Sequence, residues 1–237
     1  MENCYEDGAR AAAYAQLAFA NTYHLAFRDV PQIARQQVRG RRAMDFGCGT
    51  GRSTRFLKSL GFDAVGVDIA PQMVAQARKL DPAGSYRLVT GETLEDFADG
   101  SFDLVLCAFP FDNIPGFEHK VRLFRALRRV IADDGRIINI VSSPDIYTHE
   151  WASFTTADFP ENRHAKPGDV VRIITTDFGD RRPCEDILWP DESYREVYAR
   201  ADLDVVSMLK PLATGEESYA WVNETTIAPW VVYVLSR

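Results

Sequence analysis

Short apolar runs alternate with amphipathic segments along the first 142 residues of the chain. Such runs are typical of strands inside a sheet, whereas apolar positions three and four residues apart predict helices. The predicted strands are 42–46, 63–67, 85–89, 102–108 and 136–142, and the predicted helices between them are 50–60, 71–80 and 118–131. Strands that alternate with helices form parallel sheets with right-handed crossovers, so we expect an α/β fold.

The pattern changes on both sides of this core. Before the first strand, alanine- and aromatic-rich residues 8–27 and a short segment ending near residue 38 predict helices. Beyond residue 142, an irregular aromatic segment precedes a hairpin (170–178 and 184–189), a helix (191–201) and two strands (203–209 and 230–235). The whole pattern predicts a Rossmann-like, doubly wound sheet of seven strands. It should be mostly parallel, with an antiparallel last strand and a small lid and hairpin insertion.

Composition narrows the classes of partner. The 237 residues carry a net charge of −7, and an acidic surface repels phosphate backbones, so nucleic acid is not an expected partner. The four cysteines lie far apart without a C-x-x-C pair, which predicts reduced thiols and no metal site. No leader and no run of membrane-spanning length is evident, so we expect a cytoplasmic protein. The sequence leaves a homodimer open.

The strongest chemical signal lies in residues 41–70. A predicted strand leads into a glycine-rich turn and a helix, and a second strand then ends at an acidic residue, Asp68. The glycines of the turn are Gly47, Gly49 and Gly51. Three glycines at this spacing, between two apolar strands and followed by an acid, indicate a nucleoside-binding loop rather than a tight turn alone.

Two ligands compete for this loop: a dinucleotide and S-adenosylmethionine. The dinucleotide fingerprint requires a third glycine or alanine where this chain has Arg52. Asp45 precedes the loop, where a carboxylate opposes an anionic pyrophosphate but attracts the ammonium and sulfonium of S-adenosylmethionine. Asp68 is placed to accept both ribose hydroxyls. These residues favour the methyl donor over a nicotinamide cofactor.

With these features, the chain resembles the class I S-adenosylmethionine-dependent methyltransferases. The resemblance rests on DFGCGTG (45–51) followed by VGVDI (65–69), and it covers roughly residues 40–140 by motif order. It implies a small-molecule methyltransferase, with S-adenosylmethionine as the cofactor and a single domain over residues 1–237. The parts of that domain are expected to be an N-terminal helical lid (1–39), the cofactor-binding core (40–142), a roof over the acceptor site with a β-hairpin (143–190), and the C-terminal completion of the sheet (191–237).

The resemblance also implies the residues that bind the cofactor. Glu92 and Thr93 occupy the place that reads the adenine edge, although a glutamate replaces the commoner aspartate of the family. The predicted cofactor-binding residues are Tyr14, Tyr23, Asp45, Gly47, Cys48, Gly49, Gly51, Asp68, Ile69, Glu92, Thr93, Ala108 and Phe109.

Methyl transfer from a sulfonium is an in-line displacement, so the protein must align the reactants in a dry pocket. A general base is needed only if the acceptor arrives protonated. We predict His149 first and Asp112 second as that base. The segment AFPFDNIPG (108–116) lacks the N-P-P-Y signature of enzymes that methylate exocyclic amino groups, which favours a small-molecule acceptor with an oxygen or nitrogen nucleophile. The predicted substrate-binding residues are Phe111, Asn113, Tyr147, Trp151 and Arg163.

Three other functions stay open at this point. The basic face of the helix at 118–131 is the one feature that supports an enzyme acting on RNA or protein, although a solvated face explains it as well. A noncatalytic donor-binding module or partner subunit usually loses the glycines or the ribose-binding acid, and this chain keeps both. A nicotinamide oxidoreductase conflicts with Asp45 and Arg52.

Overall fold

The computed structural model describes residues 8–90, 94–177 and 179–237. Its helices are α1 (Gly8–Tyr14), α2 (Thr22–Arg28), α3 (Val30–Gln37), α4 (Arg52–Ser59), α5 (Pro71–Leu80), α6 (Pro110–Asn113), α7 (Phe117–Val130) and α8 (Asp191–Arg200). Its strands are β1 (Arg42–Phe46), β2 (Asp63–Asp68), β3 (Ser85–Leu88), β4 (Phe102–Ala108), β5 (Ile131–Ser142), β6 (Phe154–Thr155), β7 (Val170–Thr175), β8 (Cys184–Ile187), β9 (Asp204–Leu209) and β10 (Trp230–Ser236). Short 3₁₀ helices occupy Pro144–Tyr147 and Pro160–His164.

Seven strands form one sheet in the order β3-β2-β1-β4-β5-β10-β9. The first five pair in parallel, whereas β10 runs antiparallel to both β5 and β9. This confirms the predicted doubly wound α/β fold with an antiparallel last strand. The strand order reverses between β1 and β4, so the loops after these two strands diverge and leave a crevice at their carboxyl ends.

The central strands are apolar on both faces because helices cover both faces. In β4, for example, the four residues Leu104 to Cys107 have no exposed surface. On one side α7 packs its stripe of Val121, Phe124 and Leu127 into the core. On the basic face of α7, Arg122 and Arg125 are exposed and Arg128 and Arg129 are half-buried, as expected for a largely solvated face. Lys120, in contrast, is buried.

The predicted strands of the main sheet and the helices between them agree with the structure within about two residues at each end, apart from the start of β5. We predicted a helix to residue 131 and a strand from residue 136, but α7 ends at Val130 and β5 begins at Ile131. Ile131 pairs with Phe102, and the register shifts before Arg136 pairs with Leu104. Because the pairing is irregular around Gly135, the first part of β5 does not show the apolar pattern of a regular strand, and the sequence did not predict it.

The predicted hairpin forms a second, small sheet in the order β6-β7-β8. Val170 to Ile173 pair antiparallel with Cys184 to Ile187, and β6 adds two residues that the sequence did not predict as a strand. In the described part of the chain, no helix is both long and apolar enough to cross a membrane.

Candidate functional site

A cavity of about 650 Å³ opens where the loops after β1 and β4 diverge. The ends of β2 and β5 border it, and α2, the small sheet and the first residue of β10 enclose the far side. Its polar lining includes Thr50, Arg52, Ser53, Asp68, Asp112, Asn113, His119, Ser142, Cys184, Glu185 and Asp186. Its apolar lining includes Tyr14, Leu17, Tyr23, Phe27, Phe46, Ile69, Met73, Val89, Phe109, Ile114, Ile146, Phe154, Ile173 and Trp230.

The glycine loop forms one wall of the cavity, and each glycine is needed for a different reason. All three have left-handed backbone angles, with φ of +73°, +52° and +81° for Gly47, Gly49 and Gly51. A Cβ atom on Gly47 would lie 2.5 Å from Pro110, and one on Gly51 would lie 2.7 Å from the Tyr86 ring. A Cβ atom on Gly49 would meet nothing within 4 Å, so this position faces open space that a ligand can approach closely.

Asp68 lies at the carboxyl end of β2 and fixes the loop. Its Oδ2 accepts a hydrogen bond from the Gly49 amide (2.7 Å), and its Oδ1 accepts one from the Ala70 amide (2.9 Å). Burial raises the pKa of this carboxyl, while the two amide donors oppose the shift. Ile69 follows with 63% of its surface exposed at the rim of the cavity, which is unusual for a large apolar side chain.

Asp45 lies behind the loop and does not line the cavity. It has no exposed surface, and its Oδ2 accepts hydrogen bonds from the hydroxyls of Ser53 (2.7 Å) and Thr54 (2.6 Å). Burial raises its pKa to about 6. Its Oδ1 is a buried acceptor that lacks a hydrogen-bond partner among the described residues. Asp45 therefore supports the loop from the side of α4, and one of its oxygens is left for a further donor.

Arg52 fastens the N-terminal helices over the cavity. Its guanidinium lies 4.6 Å from the Tyr23 ring centroid, 5.2 Å from that of Phe19 and 5.6 Å from that of Phe27. It also donates a hydrogen bond to the Ala18 carbonyl (2.8 Å). Arg52 stands where the dinucleotide fingerprint requires glycine or alanine. Here its side chain holds the N-terminal helices against the glycine loop through cation–π contacts.

Four aromatic side chains of distant segments form one wall of the cavity: Tyr23, Phe109, Phe154 and Trp230. The Tyr23 centroid lies 5.2 Å from that of Phe154 and 5.9 Å from those of Phe109 and Trp230. Trp230 fixes the group because its indole N–H donates to the Thr22 carbonyl (2.8 Å). Phe109 has a φ of +71°, a left-handed conformation that costs energy for a non-glycine residue and often occurs at functional sites.

Two buried carboxylates also line the cavity. Asp112, on α6, accepts hydrogen bonds from the Ser142 hydroxyl (2.8 Å) and the Ser142 amide (3.1 and 3.2 Å). Asp186, on β8, accepts from the Tyr147 hydroxyl (3.0 Å) and the Asn113 side-chain amide (2.5 Å). Burial, followed by the charge of Asp186, raises the pKa of Asp112 to about 8, and burial raises that of Asp186 to about 6.

Lys120 lies behind these carboxylates and has no exposed surface. Its Nζ donates to the Phe111 carbonyl and lies 5.2 Å from the Trp189 ring centroid and 5.6 Å from that of Tyr194. Burial lowers the pKa of Lys120 to about 8, although the negative charges of Asp112 and Asp186 oppose the shift. Lys120 therefore acts on both buried carboxylates, and Arg10, which is also buried, acts on Asp186.

The structure brings most of the predicted site residues to the cavity. Those that line it are Tyr14, Tyr23, Gly47, Cys48, Gly49, Asp68, Ile69, Ala108, Phe109, Asp112 and Asn113. Gly51 and Asp45 act from behind the loop, since neither lines the cavity. Glu92 and Thr93 lie outside the described residues.

The other predicted residues lie elsewhere. Phe111 packs in the core, with its ring centroid 4.1 Å from that of Phe124. Tyr147 and Trp151 are also buried, and Tyr147 reaches the site only through Asp186. His149 lies outside the cavity lining, and its Nδ1 is 3.0 Å from the Asp145 carbonyl oxygen. Arg163 is an exposed residue of a 3₁₀ helix outside the lining. The aromatic run after β5 thus folds inwards as core, and its polar residues remain at the surface.

Sequence reasoning missed Asp186, Trp230 and Arg52 as parts of the lining. A signal existed for two of them. Cys184 and Asp186 alternate along the predicted second strand of the hairpin, so they share one face. Trp230 begins an antiparallel last strand, which places it at the carboxyl ends of the parallel strands. Neither signal gives the distance to the cavity, which depends on how the small sheet docks.

Comparison with known proteins agrees with this geometry. Residues 44–139 match a family model described as a methyltransferase domain. A solved S-adenosylmethionine-dependent methyltransferase from Clostridium acetobutylicum superposes with a TM-score of 0.66 over 99% of both chains, at 14% identity. Residues 44–139 are thus similar to a methyltransferase domain, and the whole chain shares the fold of this S-adenosylmethionine-dependent methyltransferase.

Two curated methyltransferases match part of this chain. A ubiquinone biosynthesis O-methyltransferase of Methylococcus capsulatus is 34% identical over 86 residues, which are 35% of this chain and 36% of the relative. A protein of the same name from Pseudomonas aeruginosa is 28% identical over 171 residues, covering 69% of this chain and 68% of the relative. The chain thus spans about a third of the first relative and about two thirds of the second.

The residues of the cavity fit S-adenosylmethionine, the cofactor that the comparisons indicate. Gly49 leaves open space at the loop, and Asp68 offers a carboxylate at the end of β2 where ribose hydroxyls are expected to bind. The unpartnered Oδ1 of Asp45 adds negative charge behind the loop, which suits a cationic ligand better than a pyrophosphate. Ile69 and Met73 supply an apolar surface for a flat base.

Proposed function

We propose that this protein transfers a methyl group from S-adenosylmethionine to an oxygen or nitrogen atom of a small molecule. The observation that carries the proposal is a single continuous cavity. Its lining includes Asp68 and residues of the glycine loop, which we assign to the donor, and also Asp112 and Asp186, which we assign to the acceptor. We call these two parts of the cavity the donor end and the acceptor end. A volume of about 650 Å³ lies within the usual range for a small-molecule site, and parts of the lid and the small sheet line it.

S-adenosylmethionine supplies an electrophilic methyl group on a sulfonium. The chain's residues hold the reactants in line and exclude water. Asp68 and the glycine loop fix the nucleoside end, while Tyr23 and Phe109 cover the middle of the cavity with aromatic surface. Phe154 and Trp230 add aromatic surface to the lining, so the acceptor lies between aromatic rings and the carboxylates of Asp112 and Asp186.

The proton of a protonated acceptor passes to the carboxylates at the acceptor end of the cavity. Asp112 and Asp186 both line it, and fixed donors hold both carboxylates. A carboxyl with a pKa of about 6 to 8 accepts a proton near neutral pH more readily than an ordinary aspartate. We therefore assign the general base to this pair and not to His149, which lies outside the lining.

Donor binding tests the proposal most directly. Asp68→Asn keeps the size of the side chain but removes its charge, and Asp63→Asn makes the same change at the exposed other end of β2. We expect S-adenosylhomocysteine to bind the wild type and Asp63→Asn equally. Binding to Asp68→Asn should weaken about tenfold or more, because charge-assisted hydrogen bonds are lost. Isothermal titration calorimetry measures these affinities.

Binding by the wild type should also raise its melting temperature, since a ligand bound only by the native state stabilises it. A wild type that binds neither S-adenosylmethionine nor S-adenosylhomocysteine contradicts the proposal. So does equal binding by the wild type and Asp68→Asn. Tight NADH binding in the same cavity would favour an oxidoreductase instead.

A further inference from the structure

The acceptor end of the cavity has an unusual charge balance. Asp112 and Asp186 are 5% and 8% exposed, and both line the cavity. The buried cation that acts on both of them is Lys120, which lies outside the lining and donates to the Phe111 carbonyl. Arg10, which is also buried, acts on Asp186 as well, but neither Arg10 nor Lys120 lines the cavity. The charged groups that a ligand meets here are therefore the acidic ones. Asp112 keeps a proton up to about pH 8 in the free protein, and a cation bound beside it favours the ionised carboxylate.

Among the described residues, Arg52 is the one Lys or Arg side chain in the cavity lining, and it is engaged elsewhere. Arg52 belongs to the donor end, where its guanidinium faces the rings of Tyr23, Phe19 and Phe27. Glu185 adds a third acidic group to the lining, and its own ion pair, with Arg172 (3.0 Å), is at the protein surface. The acceptor end is therefore acidic, whereas the only described Lys or Arg side chain in the lining is at the donor end.

The aromatic wall acts in the same direction. Phe109 and Phe154 line the cavity with their ring centroids 4.7 Å and 5.7 Å from that of Trp230. The fourth ring of the wall, Tyr23, already faces Arg52. Aromatic faces attract ammonium groups, and the attraction grows when the cation is desolvated, as in a roofed cavity. Carboxylates hydrogen-bond the N–H groups of an amine, whereas they repel an anionic acceptor.

From this arrangement we propose that the methyl acceptor is an amine that binds as a cation between the aromatic wall and the Asp112–Asp186 pair. This inference rests on the proposed methyl transfer and names its substrate class. The bound ammonium gives its proton to a carboxylate of the pair, and the freed nitrogen lone pair attacks the methyl carbon. The N–C bond forms as the S–C bond breaks. The electron pair of the broken S–C bond stays on sulfur, which gives S-adenosylhomocysteine.

Three probes of one carbon skeleton test the charge preference: phenethylamine, 2-phenylethanol and phenylacetate. They are titrated into protein saturated with S-adenosylhomocysteine, which has no sulfonium, so the donor's charge does not enter the comparison. We expect phenethylamine to bind at least about tenfold more tightly than 2-phenylethanol, the order of difference that a charged hydrogen bond gives. Phenylacetate should bind most weakly of the three.

The variants Asp186→Asn and Asp112→Asn should each reduce the preference for the amine over the alcohol. Both substitutions keep the shape of the side chain, and cooperative thermal unfolding verifies that each variant is folded. If one does not fold, the other gives the test. Asp158→Asn is the matched control, because Asp158 is an exposed residue of the same 143–190 segment outside the cavity lining. This control should keep the wild-type preference.

The possible outcomes separate the two proposals. Absence of S-adenosylhomocysteine binding contradicts the methyltransferase function itself. If the donor product binds but phenethylamine binds no better than 2-phenylethanol, or none of the three probes binds, the amine proposal is wrong and the function stands. An unchanged preference in both Asp→Asn variants also overturns it, since the carboxylates would then not recognise the charge.

Discussion

Asp112 shows how the environment of one residue changes its chemistry. In the sequence it is an acid in a turn-like segment, DNIP, and its neighbours give no sign of its ionisation. In the structure it is buried beside Asp186 and Lys120, and its pKa rises to about 8. The shift comes first from lost solvation and then from the negative charge of Asp186. A group with such a shift links the stability of the protein to pH.

The sign of this linkage gives a prediction for Asp112→Asn. The native state keeps a proton on Asp112 up to about pH 8, whereas the unfolded chain releases it near the ordinary aspartate pKa. The stabilisation is therefore present at low pH and is lost as the pH rises through the folded pKa. The wild-type free energy of unfolding should fall between pH 6 and pH 8, and Asp112→Asn should show a smaller fall. Urea unfolding at both pH values measures this difference.

The pH window isolates Asp112 from its neighbours. Asp186 and Asp45 have pKa values of about 6, so most of their effect lies below this window. The pKa of Lys120 is lowered to about 8, so it affects stability mainly above pH 8, where the native state loses this proton before the unfolded chain does. The control Asp158→Asn should show the same fall in the free energy of unfolding between pH 6 and pH 8 as the wild type. An equal fall in the wild type and Asp112→Asn would show that Asp112 is ionised throughout this pH range.

Residues whose roles depend on local backbone were the most predictable. The three glycines and Asp68 belong to one strand–loop–helix–strand unit, and the spacing within this unit determines their positions. Asp45 was harder, because the hydroxyls of Ser53 and Thr54 that enclose it come from the next helix. His149 and Trp151 lie near the site in sequence, but the fold turns one outward and the other into the core. Local sequence does not determine that choice.

At the scale of elements, α4 has two functions. Its Ser53 and Thr54 fix Asp45 on the side of the sheet, while Arg52 at its first position holds the segment between α1 and α2. Helix positions were predictable from the apolar period, but this use of Arg52 was not, since three aromatic rings and a carbonyl from residues 18–27 create it. The lid and the glycine loop are therefore coupled through one side chain.

Replacing Arg52 should loosen the lid selectively. Arg52→Lys keeps the charge but loses the flat guanidinium that contacts the rings and the Ala18 carbonyl. We expect a loss of about 1–2 kcal/mol in the free energy of unfolding, the usual range for desolvated cation–π contacts. Amide hydrogen exchange measured by mass spectrometry should become faster over residues 15–27 and stay unchanged in β5.

Arg35→Lys serves as the control for this experiment, because Arg35 is exposed on the neighbouring helix α3. It should leave both stability and exchange unchanged. If Arg52→Lys accelerates exchange equally in the lid and in β5, the residue stabilises the whole fold and has no special role in the lid.

At the scale of the whole molecule, segments far apart in sequence close the cavity together. The seven-stranded order was predictable because alternating strands and helices permit few topologies. The closure was not, because it depends on polar contacts between the lid, the roof and the C-terminal segment. Glu224 makes several of them: it has no exposed surface and accepts from the Thr22 hydroxyl (2.6 Å) and the Ala152 amide (2.8 Å).

Glu224→Gln should weaken this closure. The second carboxylate oxygen of Glu224 accepts from the amides of Val222 and Asn223, so a glutamine amide group in its place would bring N–H donors against N–H donors. Leaving buried donors without an acceptor costs about 1–3 kcal/mol per group, and we expect a loss of about 2–4 kcal/mol. Urea unfolding measures this loss, and Glu216→Gln, at an exposed position nearby in the sequence, is the control.

Because Thr22 begins the helix that carries Tyr23 into the cavity, Glu224→Gln should also weaken S-adenosylhomocysteine binding, while Glu216→Gln should not. Lower stability with unchanged donor affinity would show that the lid keeps its position without this contact.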